Sequence, residues 1–563
     1  MSEQPGADPG GARLDGGEAL LVAARDLDVD VIFCSSGSEW APVWEALARQ
    51  ARDGVAGPRY LDLMHETLAV AMATGYGLAT GRPQLVLLHT VPGLLQGACG
   101  IHGALLSGVG MIVATSESLT YGETEVDPGS QWYRNLSIVG GPQAVAQPFV
   151  KWSSQVGSVS NLYQMVLRAA ELARRGPAGP VYLNVPVEVL LEPWTPPSIV
   201  GRPLALPGSR VSTEPDLQAA ARRLIAAERP VLLTESVGRH PDGFEALVEL
   251  AELLAIPVVE PQSAVCSNFP RTSGLHRGGD PGPLTADADL IVLACTRAPW
   301  YPPSNRPQDA EILVVDDVPH RPHVDYQVLG ADQYLEGDVG PTLRALVATV
   351  KAMGVDESLV AARRARLAPA PLPSPSGKLD AAAVVDALRD LIDPDAAVVD
   401  ETITHARVVS AHLRADRPGR YSYVQGGLGQ GIGVALGTKL ADPGREVVLT
   451  VGDGSFLYNP IVQSLAASKS LDLPVLVVVF NNRKYLSMQL NHVRFYPDGA
   501  AVNEKNFLGV DLSDQPPLSE LVAPFGLHGT EVTSLDALRP ALEAALASVR
   551  AGVTALVDVR VVR

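Results

Sequence analysis

Strand-like apolar runs alternate with Ala-rich helical stretches along the whole chain. In the first third, Val29–Phe33, Gln84–His89 and Gly110–Thr115 read as strands. Glu66–Leu78 and Gly97–Leu106 lie between them, rich in Ala and Gly, and read as helices. The middle third predicts a helix over 214–227, strands at Pro230–Thr234, Ile256–Glu260, Leu290–Ala294 and Glu311–Asp316, and a helix at Phe244–Leu254. The last third predicts strands at Ala396–Val399, Glu446–Leu449 and Val475–Phe480. This alternation is the pattern of α/β domains built on mostly parallel sheets.

Two Pro-rich stretches, Leu191–Pro207 and Leu367–Gly377, interrupt the pattern and predict stiff, extended linkers. The expected division is a flexible N-terminus over 1–16, a domain over 17–190, a linker over 191–212, a domain over 213–365, a linker over 366–378 and a domain over 379–563. The first and third domains share size and texture, which suggests a duplicated α/β unit.

Composition narrows the function. Across 563 residues, 62 acidic and 44 basic side chains leave a formal net charge of −18. A chain this acidic is poorly suited to a phosphate backbone or an anionic bilayer, so neither nucleic acid nor membrane is an expected partner. The longest apolar runs, such as Leu473–Phe480, fall far short of a membrane span. Cys34, Cys99, Cys266 and Cys295 are scattered and form no CxxC pair, so reduced thiols are expected. No apolar signal opens the N-terminus, and a cytoplasmic location is expected.

Candidate chemistry sits at predicted strand ends. After strand Glu446–Leu449 comes Gly452-Asp453-Gly454-Ser455, and after Val475–Phe480 comes Asn481-Asn482-Arg483-Lys484-Tyr485. Ligands of an open α/β sheet bind at that edge. Gly452 and Gly454 allow close approach of the backbone to an anion. Asp453 and Asn482 offer oxygen ligands, and the Lys484 carbonyl a third, for an octahedral Mg²⁺. The Gly-rich string Gln425–Gly437 could also be read as a dinucleotide loop, but no acid for a ribose follows at the usual distance.

The Gly-Asp-Gly…Asn-Asn pair resembles the signature of thiamine diphosphate (ThDP) enzymes. Leu63–Arg82 resembles that family's N-terminal motif, which makes Glu66 the match for its catalytic glutamate. The order of motifs resembles the acetolactate synthase, benzoylformate decarboxylase and pyruvate decarboxylase group. The resemblance implies a ThDP-binding fold at each end, pyrimidine-binding first and diphosphate-binding last, with a Rossmann-like domain between. It implies ThDP and Mg²⁺ as cofactors and Glu66 as the carboxylate on the aminopyrimidine. It also implies Leu428, after Gly427, as a wedge beneath the cofactor, and Thr402 and Thr404 toward the diphosphate. Gly452, Gly454, Ser455 and Tyr485 complete the cofactor set, with Asp453, Asn482 and Lys484 on the metal.

Two segments resemble benzoylformate decarboxylase: Phe33–Ser38, with Ser38 toward the substrate carboxylate, and Leu88–Gly93, with His89 as an active-site histidine and Gln96 nearby. No two of the eleven histidines are adjacent, unlike pyruvate decarboxylases, and His276 is the candidate for a second substrate histidine. The implied activity is a lyase or carboligase acting on a small 2-oxo acid or aldehyde. A 2-hydroxyacyl-CoA lyase or a non-catalytic ThDP-binding homologue are the alternatives. The resemblance further implies a homodimer or homotetramer with its active site at the subunit interface.

Overall fold

The computed structural model of the chain describes residues 14–562 except 121, 124, 125, 130, 132, 133, 203, 204, 206, 207, 323, 325, 326, 328, 329, 368–373 and 375. Most of the expected N-terminal tail and about half of the second linker thus lie outside the described residues. Where the chain enters, it is ordered: Asp15 caps the helix Gly16–Asp26 by accepting from the Glu18 N–H at 3.0 Å.

The chain forms two compact bodies. The first holds a six-stranded sheet of β1 (Val31–Ser35), β2 (Arg59–Asp62), β3 (Gln84–Leu88), β4 (Met111–Thr115), β5 (Trp152–Gln155) and β6 (Pro180–Asn184). Its order is β2-β1-β3-β4-β6-β5, and every pairing is parallel. β1, β3, β4 and β6 are buried along their whole length, which explains why their sequences are apolar but for one polar residue at an end.

The second body holds two sheets. One has β7 (Pro230–Thr234), β8 (Val258–Val259), β9 (Leu290–Ala294), β10 (Glu311–Asp316) and β11 (Gln333–Glu336), in the order β11-β10-β9-β7-β8. The other has β12 (Ala397–Glu401), β13 (Tyr421–Tyr423), β14 (Val447–Gly452), β15 (Leu476–Phe480), β16 (His528–Val532) and β17 (Ala555–Val559), in the order β13-β12-β14-β15-β17-β16. Counted along the chain, this order is the same as in the first sheet, so one doubly wound topology occurs twice.

Local capping moves several element boundaries. β1 starts at Val31 because the Val29 N–H closes the preceding helix onto the Ala24 carbonyl at 3.0 Å. The helix expected over 97–106 runs from Thr90 to Ser107. Pro92 sits in its first turn, where no N–H is needed, so the Val-Pro-Gly string opens the helix instead of forming a loop. β8 is shorter than expected because Ala255, at φ 51°, and Ile256 belong to the closing turn of the helix before it.

Within the second body, residues 265–267 cover the free edge of β13. Tyr423 N–H donates to Val265 O at 2.9 Å, and Ser267 N–H to Tyr421 O at 3.2 Å. Beside that seam lies a buried ionic cluster. Arg271 Nε donates to Glu260 Oε2 at 2.7 Å, and His276 Nε2 lies 3.0 Å from the same oxygen. Arg271 also donates to Ser410 and lies over the Tyr421 ring. Burial alone would raise the Glu260 pKa. The Arg271 charge and the His276 hydrogen bond outweigh it and bring the pKa down to about 2.

Because the Glu260 pKa is depressed in the folded state, its stabilisation is full above the ordinary glutamate range and is lost as pH falls toward 2. Glu260→Gln leaves Arg271 buried without its counter-charge and should cost about 3–5 kcal/mol near neutral pH. Urea unfolding should show that deficit shrinking as the wild-type carboxylate is protonated. A deficit independent of pH would contradict the assignment.

Candidate active site

A doubly wound sheet opens a crevice where successive crossovers leave in opposite directions. In the third sheet that point lies between β12 and β14. β12 ends in buried Asp400 and Glu401. Asp400 accepts from Thr402 Oγ1 at 2.6 Å, Thr450 Oγ1 at 2.9 Å and Tyr421 OH at 2.9 Å. Thr402 is therefore buried with its hydroxyl committed to Asp400, while Thr404 is half-buried in the turn before the helix Ala406–Leu413.

Glu401 acts as an anchor that the residue pattern does not announce. Its Oε1 accepts from the Gly429 and Gln430 N–H groups, each at 2.9 Å, and its Oε2 from Asn459 Nδ2 at 3.0 Å. Burial raises its pKa to about 7 against the pull of those hydrogen bonds. The loop so held carries exposed Gly427 and half-buried Leu428. Gly429, at φ 95°, permits it: a Cβ there would sit 2.5 Å from the Tyr458 carbonyl oxygen.

β14 and β15 bring the two polar clusters together. Asp453 is 4% exposed and accepts from Gly454 N–H at 2.9 Å through Oδ1. The Lys484 N–H lies between the two side chains, 3.2 Å from Asp453 Oδ2 and 3.1 Å from Asn482 Oδ1. Arg483, at φ 58°, turns the chain there, and Asn481 braces the turn through Asp558 at 2.8 Å. The Tyr485 ring packs on Gly454, where a Cβ would lie 2.5 Å from it. Ser455 is buried, and its carbonyl accepts from Asn459 Nδ2 at 2.8 Å.

Burial raises the Asp453 pKa, and the groups acting on it are backbone N–H donors and the Asp558 carboxylate, with no cationic side chain among them. Carboxylate, amide and backbone oxygens beside an uncompensated buried carboxyl fit a hard divalent cation. Among the described residues no cluster of three or more His, Cys, Asp or Glu has metal-binding geometry. An Asp–Asn–carbonyl set does not require one.

In the first body the equivalent crevice lies between β1 and β3. Exposed Ser38 follows β1, and His89 follows β3 as the N-cap of the helix Thr90–Ser107. Glu66 is half-buried at the start of the helix Glu66–Thr80, which His65 caps by accepting from the Thr67 N–H at 3.1 Å. Thr67 Oγ1 in turn donates to the carbonyl of exposed Gln96 at 3.2 Å. Leu68 and Met72 of that helix are buried, while Met64, just before it, is 76% exposed. Buried Glu39, unmarked by any sequence signal, meets His89 Nδ1 at 2.8 Å. His276 is drawn into the Glu260–Arg271 cluster described above.

Doubly wound sheets with polar groups gathered at their crevices define a cofactor-binding α/β enzyme. The chain matches three domains of one family: the N-terminal TPP (thiamine pyrophosphate) binding domain over residues 14–134, the central domain over 217–346 and the C-terminal TPP binding domain over 403–559. It belongs to the thiamine pyrophosphate enzymes. A Pseudomonas aeruginosa protein named "Probable 2-ketoarginine decarboxylase" is 29% identical over 486 residues, covering 83% of this chain and 82% of that protein. The acetolactate synthase large subunit of Parasynechococcus marenigrum is 26% identical over 565 residues, covering 95% and 86%. The solved benzoylformate decarboxylase of Polynucleobacter necessarius shares the fold with a TM-score of 0.80 at 21% identity, over 97% of this chain and 98% of that one.

Glu401→Leu should strand two buried N–H groups, at about 1–3 kcal/mol each. Hydrogen–deuterium exchange across 425–430 should quicken while β12 and β14 stay protected. Unchanged exchange in that loop would contradict the anchor role.

Proposed function

We propose that the chain is a ThDP- and Mg²⁺-dependent lyase or carboligase acting on a 2-oxo acid. It releases CO₂ and yields an aldehyde, or transfers the acyl unit to a second carbonyl. The observation that carries this reading is the buried Asp453 carboxylate, which shares the Lys484 N–H with the Asn482 amide oxygen, two oxygen donors from separate strand ends brought to one point. The names of the relatives, a 2-ketoarginine decarboxylase and an acetolactate synthase, support the 2-oxo acid class.

In this reading Asp453, Asn482 and the Lys484 carbonyl hold Mg²⁺. Gly452, Gly454, Ser455, Tyr485 and Thr404 receive the cofactor, with Thr402, whose hydroxyl is already given to Asp400, the weakest of the set, and Gly427 and Leu428 support it. When bound, ThDP would supply the nucleophilic carbon and the electron sink that loss of CO₂ from a 2-oxo acid needs. Glu66 holds a proton on the aminopyrimidine ring. His89 moves protons on the substrate side, and Ser38 and Gln96 bind substrate. His276, already bound to Glu260, has the weakest claim to that role. The pyrimidine-binding part corresponds to 17–190, the central part to 213–365 and the diphosphate-binding part to 379–563. The working form is a cytoplasmic homodimer or homotetramer whose active site a second subunit completes.

Asp453→Ala should abolish calorimetric binding of ThDP in the presence of Mg²⁺, and Asn482→Ala should weaken it less. Full affinity in Asp453→Ala overturns the metal assignment. Glu66→Gln should keep cofactor affinity while CO₂ release from a panel of 2-oxo acids falls about 10²–10⁴-fold. Wild-type turnover in that variant would remove Glu66 from the chemistry.

A further inference from the structure

The geometry points to Glu39 as a positioning residue that fixes the His89 imidazole through Nδ1 and leaves Nε2 as its working edge. This rests on the reading of His89 as the substrate-side proton carrier.

The pair is built into the crevice between β1 and β3. Glu39 lies on the short helical turn Ser38–Trp40 that follows β1. Trp40 Nε1 donates to the Leu88 carbonyl at 3.0 Å and so ties that turn to the residue before His89. The Glu39 side chain is 1% exposed, and its two oxygens stand 2.8 and 3.1 Å from His89 Nδ1. The Thr90 N–H donates to Oε1 at 3.1 Å. Gly37 makes the approach possible, since a Cβ there would lie 2.1 Å from Nδ1 and 2.4 Å from Glu39 Oε2. Three elements therefore converge on one hydrogen bond.

An ionised carboxylate only accepts, so Nδ1 must carry its hydrogen. This leaves Nε2 to exchange protons, and the His89 side chain is 29% exposed, enough for a substrate to reach. The hydrogen bond to Glu39 raises the His89 pKa, burial opposes it, and the charges of Glu39 and Glu66 add to the rise. The imidazolium thus persists to higher pH than for an isolated histidine. In proton delivery the Nε2–H bond breaks, its electron pair stays on the ring, the proton ends on the substrate, and water restores it. Glu39 itself touches no reacting atom.

Histidine side-chain ¹H–¹⁵N correlation spectra of the full chain without cofactor test this, with the His89 signals identified by their loss in His89→Gln. The wild type should show Nδ1 protonated throughout and a titration midpoint above that of an ordinary histidine. Glu39→Gln, of the same size, should move the midpoint to lower pH and let the neutral ring change tautomer. Its kcat on a 2-oxo acid should fall about 10–100-fold with KM little changed. Glu39→Asp, which keeps the charge, should return the midpoint upward, and it serves as the test if Glu39→Gln fails to fold. An unchanged midpoint and tautomer in Glu39→Gln, or a Glu39→Asp midpoint as low as that of Glu39→Gln, overturns the inference. If the spectra respond as expected but His89→Ala turns over normally, the pair stands and the substrate role of His89 fails.

Discussion

A carboxylate buried at a strand end, with no ion pair among the described residues, sets the terms for the C-terminal sheet. Asp453 is surrounded by backbone N–H donors and has Asp558 as its nearest charged influence. Such a group is costly to keep ionised unless a cation joins it. The structure around it is braced accordingly. Asn481 holds Asp558, Arg483 adopts a left-handed turn, and the Lys484 N–H aligns Asp453 with Asn482. On the proposed reading, this bracing lowers the ordering cost of binding a cation.

The same strand order serves two chemistries. At the crevice of the first sheet the fold gathers Glu39 and His89, a buried carboxylate hydrogen-bonded to an imidazole. At the equivalent crevice of the third sheet it gathers acceptor oxygens and a glycine loop anchored by Glu401. Topology fixes where the crevice lies, and the side chains on the strand ends decide what it does. The middle sheet contributes differently: residues 265–267 cover the edge of β13, and the Glu260–Arg271 pair locks the seam.

Much of this is legible in the residues, for a physical reason. Strands buried on both faces are almost wholly apolar, so β3, β7, β9 and β15 lie within a residue of their expected bounds. The two polar motifs mark the ends of β14 and β15, and Asp453 and Asn482 from them share the Lys484 N–H. What stays hidden depends on contacts distant in sequence. Glu39 lies 50 residues from His89, and Glu401 lies 28 and 58 residues from Gly429 and Asn459. No periodicity encodes such pairs. His276 looks like an open site residue in sequence because nothing there shows Glu260 waiting 16 positions earlier.

The central claim is that the Asp453–Asn482 site holds a divalent cation that in turn holds the cofactor. Calorimetric titration of the unaltered chain with ThDP, first with Mg²⁺ present and then with the metal removed by chelation, tests it most directly. The account predicts binding with Mg²⁺ and its loss under chelation, restored when the ion is returned. Equal affinity in both conditions would contradict it.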